Sequence, residues 1–309
     1  MSSLLYLSRG EVAALLPELD EQLDLVEATY RALAEGRVEL PPKPAVHPRP
    51  DAFLHAMPAY LADRDVVALK WVAGYPENKA RGLPYISGLV VVNDAETGLP
   101  VAVMDGAEIT AARTAAASGV CVRAWAPEGW RRAAVVGAGE QGRFHATLLR
   151  RLNREVEIRA FDPHRDRLAA LGSRVRPAES EREAVAGAEV VVTAAPIVRE
   201  PDPPLGPEEL GERWLVLPID FDALVRREVI ESADLFLVDD EGQFAYYRDQ
   251  GHFRGWPEPA GSVGNALQRG ARGRRVACVN LGVGALDAAF AARVLAAARE
   301  QTVGTELPL

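Results

Sequence analysis

The chain has 309 residues, of which 48 % are apolar and 26 % charged, with a formal net charge of -9. That balance lacks the basic excess a nucleic-acid backbone requires, and no apolar run reaches the roughly 18 residues of a membrane span. The length accommodates two domains, each with its own core.

The opening "MSSLLYLSRGEVAALL" has no cationic start followed by a continuous apolar segment and a small-residue cleavage site. The sequence therefore predicts a cytoplasmic protein. From Val12 to about Leu33 apolar residues recur at helical spacing, and "ELPPKPAVHPRP" after them is too rich in proline for a helix or a central strand. The runs "AFLHAMPAY", "VVALKWVAGY" and "ISGLVVVND", then a turn at "DAETGLP" and "VAVMDG", predict an antiparallel meander. "AEITAARTAAASGVCVRAWA" is a helix of small residues. Beyond it strands and helices alternate, with strands at "AAVV", "VEIRAFD", "AEVVVTAAP", "RWLVLPID" and "DLFLVDD". Such alternation predicts a parallel sheet covered by helices on both faces. An alanine-rich helix from Asp287 to about Gln301 closes the pattern and is expected to pack back on the first domain.

Cys121 and Cys278 lack CxxC spacing and lie among apolar neighbours, so they read as small core residues. His47, His55, His145, His164 and His252 form no metal-binding cluster, and no protein-borne metal is expected.

The stretch "AAVVGAGEQG" places GxGxxG between a strand and a helix, and the next strand ends in Asp162, about 20 residues past the last glycine. Gly137 serves the tight turn, Gly139 lets the backbone approach a pyrophosphate, and Gly142 brings the helix close to the sheet. The pyrophosphate is expected on the helix N-terminus, where free N–H groups favour negative charge. Asp162 suits a ribose 2′-hydroxyl and disfavours a 2′-phosphate, which favours NAD. His164 and Arg165 close behind leave NADP open, and Asp162 before Pro163 can also be read as a plain turn residue.

In the first domain, Arg113 of "EITAARTAAASG" has Ile109 and Ala117 four residues away and no acidic partner on its own helix. A substrate carboxylate held bidentately would satisfy its guanidinium, the alternative being a solvated surface arginine. Lys70 lies in the apolar strand "VVALKWVAGYP", where it reads as a carboxylate-binding or proton-transferring group, or as an edge-strand lysine. Lys43, in "PPKPAVH", carries little signal alone.

From "HAMPAY" to "LGVGALD", and most specifically in "ITAARTAAAS" followed at a fixed distance by "AVVGAGEQG", the sequence resembles the ornithine cyclodeaminase and mu-crystallin family. The resemblance implies a Rossmann doubly wound parallel sheet domain, residues 126–284, inserted into a second α/β domain with an antiparallel meander sheet. That second domain is residues 1–125 with a C-terminal helix, 285–309, and carries substrate binding and homodimerisation. It implies Lys70, Arg113 and Lys43 around an amino-acid carboxylate, with Tyr85 also binding the substrate. Lys43 stands where relatives carry an arginine and so lacks the bidentate fork. Gly137, Gly139, Glu140, Gln141, Gly142, Asp162 and Arg165 would hold the cofactor. By its spacing to Glu228, Asp222 matches the acid that serves the substrate's side-chain amine, with Asp220 as rival. The small residues expected before it are replaced by "IDF". The implied activity is NAD-dependent chemistry at the α-carbon, foremost conversion of L-ornithine to L-proline and ammonia. The alternatives are alanine dehydrogenation, cyclic ketimine reduction, opine-like condensation, or a non-catalytic NAD(P)H-binding protein.

Overall fold

Pro17 splits the single helix expected between Val12 and Leu33. The computed structural model describes residues 3–309, without the side chain of Lys79. A strand, β1 (Ser3–Leu7), leads into α1 (Arg9–Leu15) and α2 (Leu19–Ala34). The break between the helices falls at Pro17, which cannot donate an interior helical hydrogen bond. Short strands β2 (Val38–Glu39) and β3 (Ala45–Val46) flank the proline-rich loop. The meander follows as β4 (Phe53–Leu61), β5 (Val66–Gly74), β6 (Ile86–Asp94) and β7 (Pro100–Asp105), then α3 (Gly106–Trp125).

The alternating part comprises β8 (Arg132–Val136), α4 (Glu140–Leu152), β9 (Glu157–Phe161), β10 (Val175–Pro177), α5 (Glu181–Val185) and β11 (Val190–Thr193). It continues through β12 (Trp214–Pro218), α6 (Arg227–Glu231), β13 (Leu235–Val238), α7 (Glu241–Asp249), α8 (Val263–Arg269) and β14 (Arg275–Val279). Its seven strands pair only in parallel, in the order β10-β9-β8-β11-β12-β14-β13. The last four residues of β14 are buried, as are all of β11, β12 and β13, which is why these strands read as unbroken apolar runs. Chain order reverses between β8 and β11, the place in such a sheet where the strand ends leave a crevice.

The chain then forms α9 (Gly284–Gln301) and β15 (Thr305–Pro308). By contacts it divides into two compact units, residues up to Arg113 with Gly282–Leu309, and Thr114–Leu281. The division falls inside α3, whose later half is tied to the second unit: Ser118 Oγ lies 2.9 Å from His145 Nε2, and Trp125 Nε1 donates to the Ala271 carbonyl at 3.0 Å.

In the first unit the strands run in the order β15-β1-β7-β6-β5-β4-β2, with β4 to β7 antiparallel and β1 parallel to β7. The inner face is covered by α9. Register places Lys70 in one cross-strand row with Met57, Val90 and Met104, all buried. The opposite face carries a second apolar row, Pro58, Leu69, Val91 and Val103, beside the exposed Trp71 and Leu89. Among the described residues no helix is long and apolar enough to cross a membrane.

Candidate functional site

Lys70 is 1 % exposed, in an otherwise apolar row of the sheet. An ammonium cannot stay there without an anion, and Asp287 on the first turn of α9 provides one. Lys70 Nζ lies 2.8 Å from both carboxylate oxygens of Asp287 and donates to Thr110 Oγ1 at 3.1 Å. Arg113, also buried, donates Nε to the same carboxylate at 3.0 Å. The guanidinium therefore has an anion within the protein, as the sequence did not disclose, and meets it through Nε. Gly282, with φ of +82°, passes so close that a Cβ there would meet Arg113 Nη1 at 2.6 Å.

These charges shape one another. Burial, then the neighbouring Arg113, pulls the Lys70 ammonium down to about 7, with Asp287 resisting only in part. Burial by itself would raise Asp287, but Arg113 and Lys70 overcome it and hold the carboxyl below its ordinary value. His55 is driven to about 3 by burial and then by Lys43, His47 and Lys70, so it is a neutral ring among cations. Lys43 is itself buried and acts electrostatically on Lys70. Tyr85 precedes β6 half-buried, its phenol pushed upward by burial and then by Asp51. Asp287 and Thr110 are the members that sequence reasoning missed.

In the second unit β8 ends in the glycine loop. Gly137 has φ of +101°, and a Cβ on Gly142 would stand 1.9 Å from the Gly137 carbonyl oxygen, so both positions require glycine. Nothing lies within 4 Å of a Cβ built on Gly139. That open side and the N–H groups of the first turn of α4, which begins at Glu140, form an anion cradle. Gln141 follows with its side-chain Oε1 buried and unpartnered. At the end of β9, Asp162 is buried and accepts from Ala138 N and from His164 N, each at 2.8 Å. These bonds are the turn the sequence allowed for, but a carboxylate has four lone-pair sites, so a ribose hydroxyl can still be accepted. Arg165 points elsewhere, pairing with Glu179 at 2.7 Å on the surface, while Arg167 Nη1 lies 3.9 Å from Asp162.

The two rival acids after β12 differ sharply. Each oxygen of Asp220 accepts one hydrogen bond: Thr193 Oγ1 donates to one at 2.5 Å and Ala195 N to the other at 2.9 Å. Burial raises its carboxyl to about 7 against those bonds. Asp222, 5 % exposed, accepts from Phe253 N at 2.6 Å through Oδ2, while Oδ1 is buried without a hydrogen bond. Glu228 lies exposed on α6.

The profile of the ornithine cyclodeaminase/mu-crystallin family matches residues 6–211. The nodulation efficiency protein NfeD of Rhizobium meliloti is 36 % identical over 313 residues, covering 97 % of each chain. The Δ1-pyrroline-2-carboxylate reductase of Thermococcus litoralis, solved with NADH and L-proline, is 26 % identical with a TM-score of 0.86, covering 98 % of this chain and 99 % of that one. An archaeal alanine dehydrogenase dimer with bound NAD is 26 % identical with a TM-score of 0.87, covering 100 % of both.

Proposed function

Membership in the ornithine cyclodeaminase/mu-crystallin family, to which this chain belongs, is the premise from which we propose an NAD-dependent enzyme acting at the α-carbon of a small L-amino acid or its imine. Its substrate is foremost L-ornithine, converted to L-proline and ammonia. The observation that carries the reading is the Lys70–Asp287–Arg113 cluster, in which two buried cations share one carboxylate and the lysine changes charge near neutral pH.

In this reading Arg113 grips the substrate carboxylate bidentately, Lys43 adds charge, and Tyr85 borders the same substrate. Lys70, with Asp287 taking up its charge, releases and recovers a proton during turnover. Asp222 is the acid that serves the side-chain amine, although its Oδ1 is buried and meets a substrate only through a neighbouring group. The α4 N-terminus and the loop at Gly137, Gly139 and Gly142 hold the pyrophosphate, Glu140 and Gln141 line it, and Asp162 holds the ribose; the cradle and the open side at Gly139 fit NAD. Arg165 serves a 2′-phosphate only if it leaves Glu179. NAD bound there would supply the hydride acceptor and donor for chemistry at the α-carbon. We take Asp222 rather than Asp220 as the functional acid because each oxygen of Asp220 already accepts a hydrogen bond, from Thr193 and Ala195, whereas Asp222 Oδ1 accepts none. The apolar row on the open face of the first unit's sheet supports a homodimer closed through that sheet.

A second reading, reduction of a cyclic imine carboxylate or dehydrogenation of alanine, is favoured by the likeness to the reductase and the alanine dehydrogenase. One assay separates the two. With L-ornithine and catalytic NAD, the first reading expects proline and ammonia in equal amounts without net NADH. Stoichiometric NADH loss on a cyclic imine carboxylate, with no proline from ornithine, selects the second.

A further inference from the structure

Asp222 has Oδ2 tied to Phe253 N and Oδ1 buried without a hydrogen bond, so Oδ1 reaches a ligand only through a neighbouring group. The second buried atom without a hydrogen bond beside it is His252 Nδ1, 3.6 Å from Asp222 Oδ1. The imidazole keeps 16 % of its side-chain surface, and with Nδ1 turned inward Nε2 is the nitrogen left to face outward. Its orientation is fixed by aromatic neighbours: Phe221 meets it edge-on at 5.4 Å and Tyr247 at 6.0 Å. Phe221 and Phe253, adjacent in sequence to Asp222 and His252, hold left-handed backbone with φ of +63° and +54°. Non-glycine residues keep that strained conformation only where their surroundings impose it.

We infer that Asp222 acts through His252: the carboxylate orients the imidazole at Nδ1, and Nε2 exchanges the proton with the substrate nitrogen. A small rotation of the ring closes the 3.6 Å gap into a hydrogen bond, and such bonds are often long before a ligand binds. In the oxidising direction an N–H proton of the amine passes to the Nε2 lone pair and the bonding electrons stay on nitrogen. In the reverse direction Nε2–H protonates the nitrogen lone pair and neutral imidazole remains. The inference rests on the amine or imine reading above, with His252 as catalytic residue and Asp222 as positioning residue.

Two measurements on the full chain test it. Nitrogen-15 NMR of neutral His252 should show the proton on Nδ1, and Asp222→Asn should redistribute it; an Nε2–H ring indifferent to Asp222→Asn overturns the dyad. In assays with L-ornithine and NAD, and with a cyclic imine carboxylate and NADH, His252→Phe, which keeps the aromatic packing, should lose about 100-fold to 10,000-fold in kcat. His252→Ala should regain activity on addition of free imidazole. Wild-type kcat in His252→Phe, or no rescue of a folded His252→Ala, overturns the catalytic role. If the wild-type chain turns over neither substrate, the functional reading fails while the tautomer still decides the pair.

Discussion

The two units treat buried charge in opposite ways. In the first, Lys70 and Arg113 share the single carboxylate of Asp287. In the second, Asp220 and Asp222 are buried and, among the described residues, no lysine or arginine pairs with either. Buried cations in excess make a receptor for an anion, whereas a carboxylate satisfied by hydroxyl and N–H donors is a strut or a proton-handling group.

Removing Asp287 should disturb this contrast most. Asp287→Asn leaves Lys70 and Arg113 buried without their anion, a loss of about 3–5 kcal/mol measurable by urea denaturation. Unchanged stability would mean that the cluster is open to water. Next, Arg113→Lys can keep the contact to Asp287 but loses the fork, so kcat/KM should fall about 100-fold, roughly 2.7 kcal/mol, while NAD affinity stays constant. Arg113→Leu should lower the thermal midpoint, contrary to what a freely exposed side chain would allow, because Asp287 then loses a partner.

The pH dependence of stability sharpens the comparison further. Lys70 titrates near 7 when folded against 10.5 ordinarily, so the unfolded chain holds more protons between those values. Stability should rise with pH across that window, with the full penalty below about 7, and Lys70→Met should remove the slope. Asp220 is the reverse case: raised from 3.8 to about 7, the folded chain binds the extra proton and stability should fall as pH climbs through that range. Denaturation of Asp220→Asn at several pH values should show a flatter curve. Smallest is the cofactor preference: NAD(H) should bind at least about tenfold tighter than NADP(H), about 1.4 kcal/mol. Fluorescence titration should show Asp162→Ala erasing that margin.

What could be read from the sequence was whatever is local. The glycine loop is a contiguous strand, turn and helix, so its spacing alone located Gly137, Gly139, Gly142 and Asp162. The meander was legible because one face of β4 to β7 is buried and alternation survives. Lys70 and Arg113 were conspicuous as charges in apolar or small-residue surroundings. Their partner was not, because Asp287 lies 217 and 174 residues further along. Its one signal was an acid in the first turn of a helix otherwise alanine-rich and apolar. β1, β14 and β15 escaped notice: two are short strands at the chain ends that pair with each other, and β14 follows a helix and loop that mask its apolar run. His252 was set aside with the other histidines, since its meaning depends on Asp222, 30 residues away in sequence.

The most direct test of α-carbon chemistry is the fate of deuterium carried there. L-ornithine deuterated at the α-carbon, incubated with the full chain and catalytic NAD, should yield proline that retains the label at that carbon, with ammonia released and no NADH accumulating. Recovery of unreacted ornithine, or proline whose α-deuterium has been exchanged with solvent, would contradict the account.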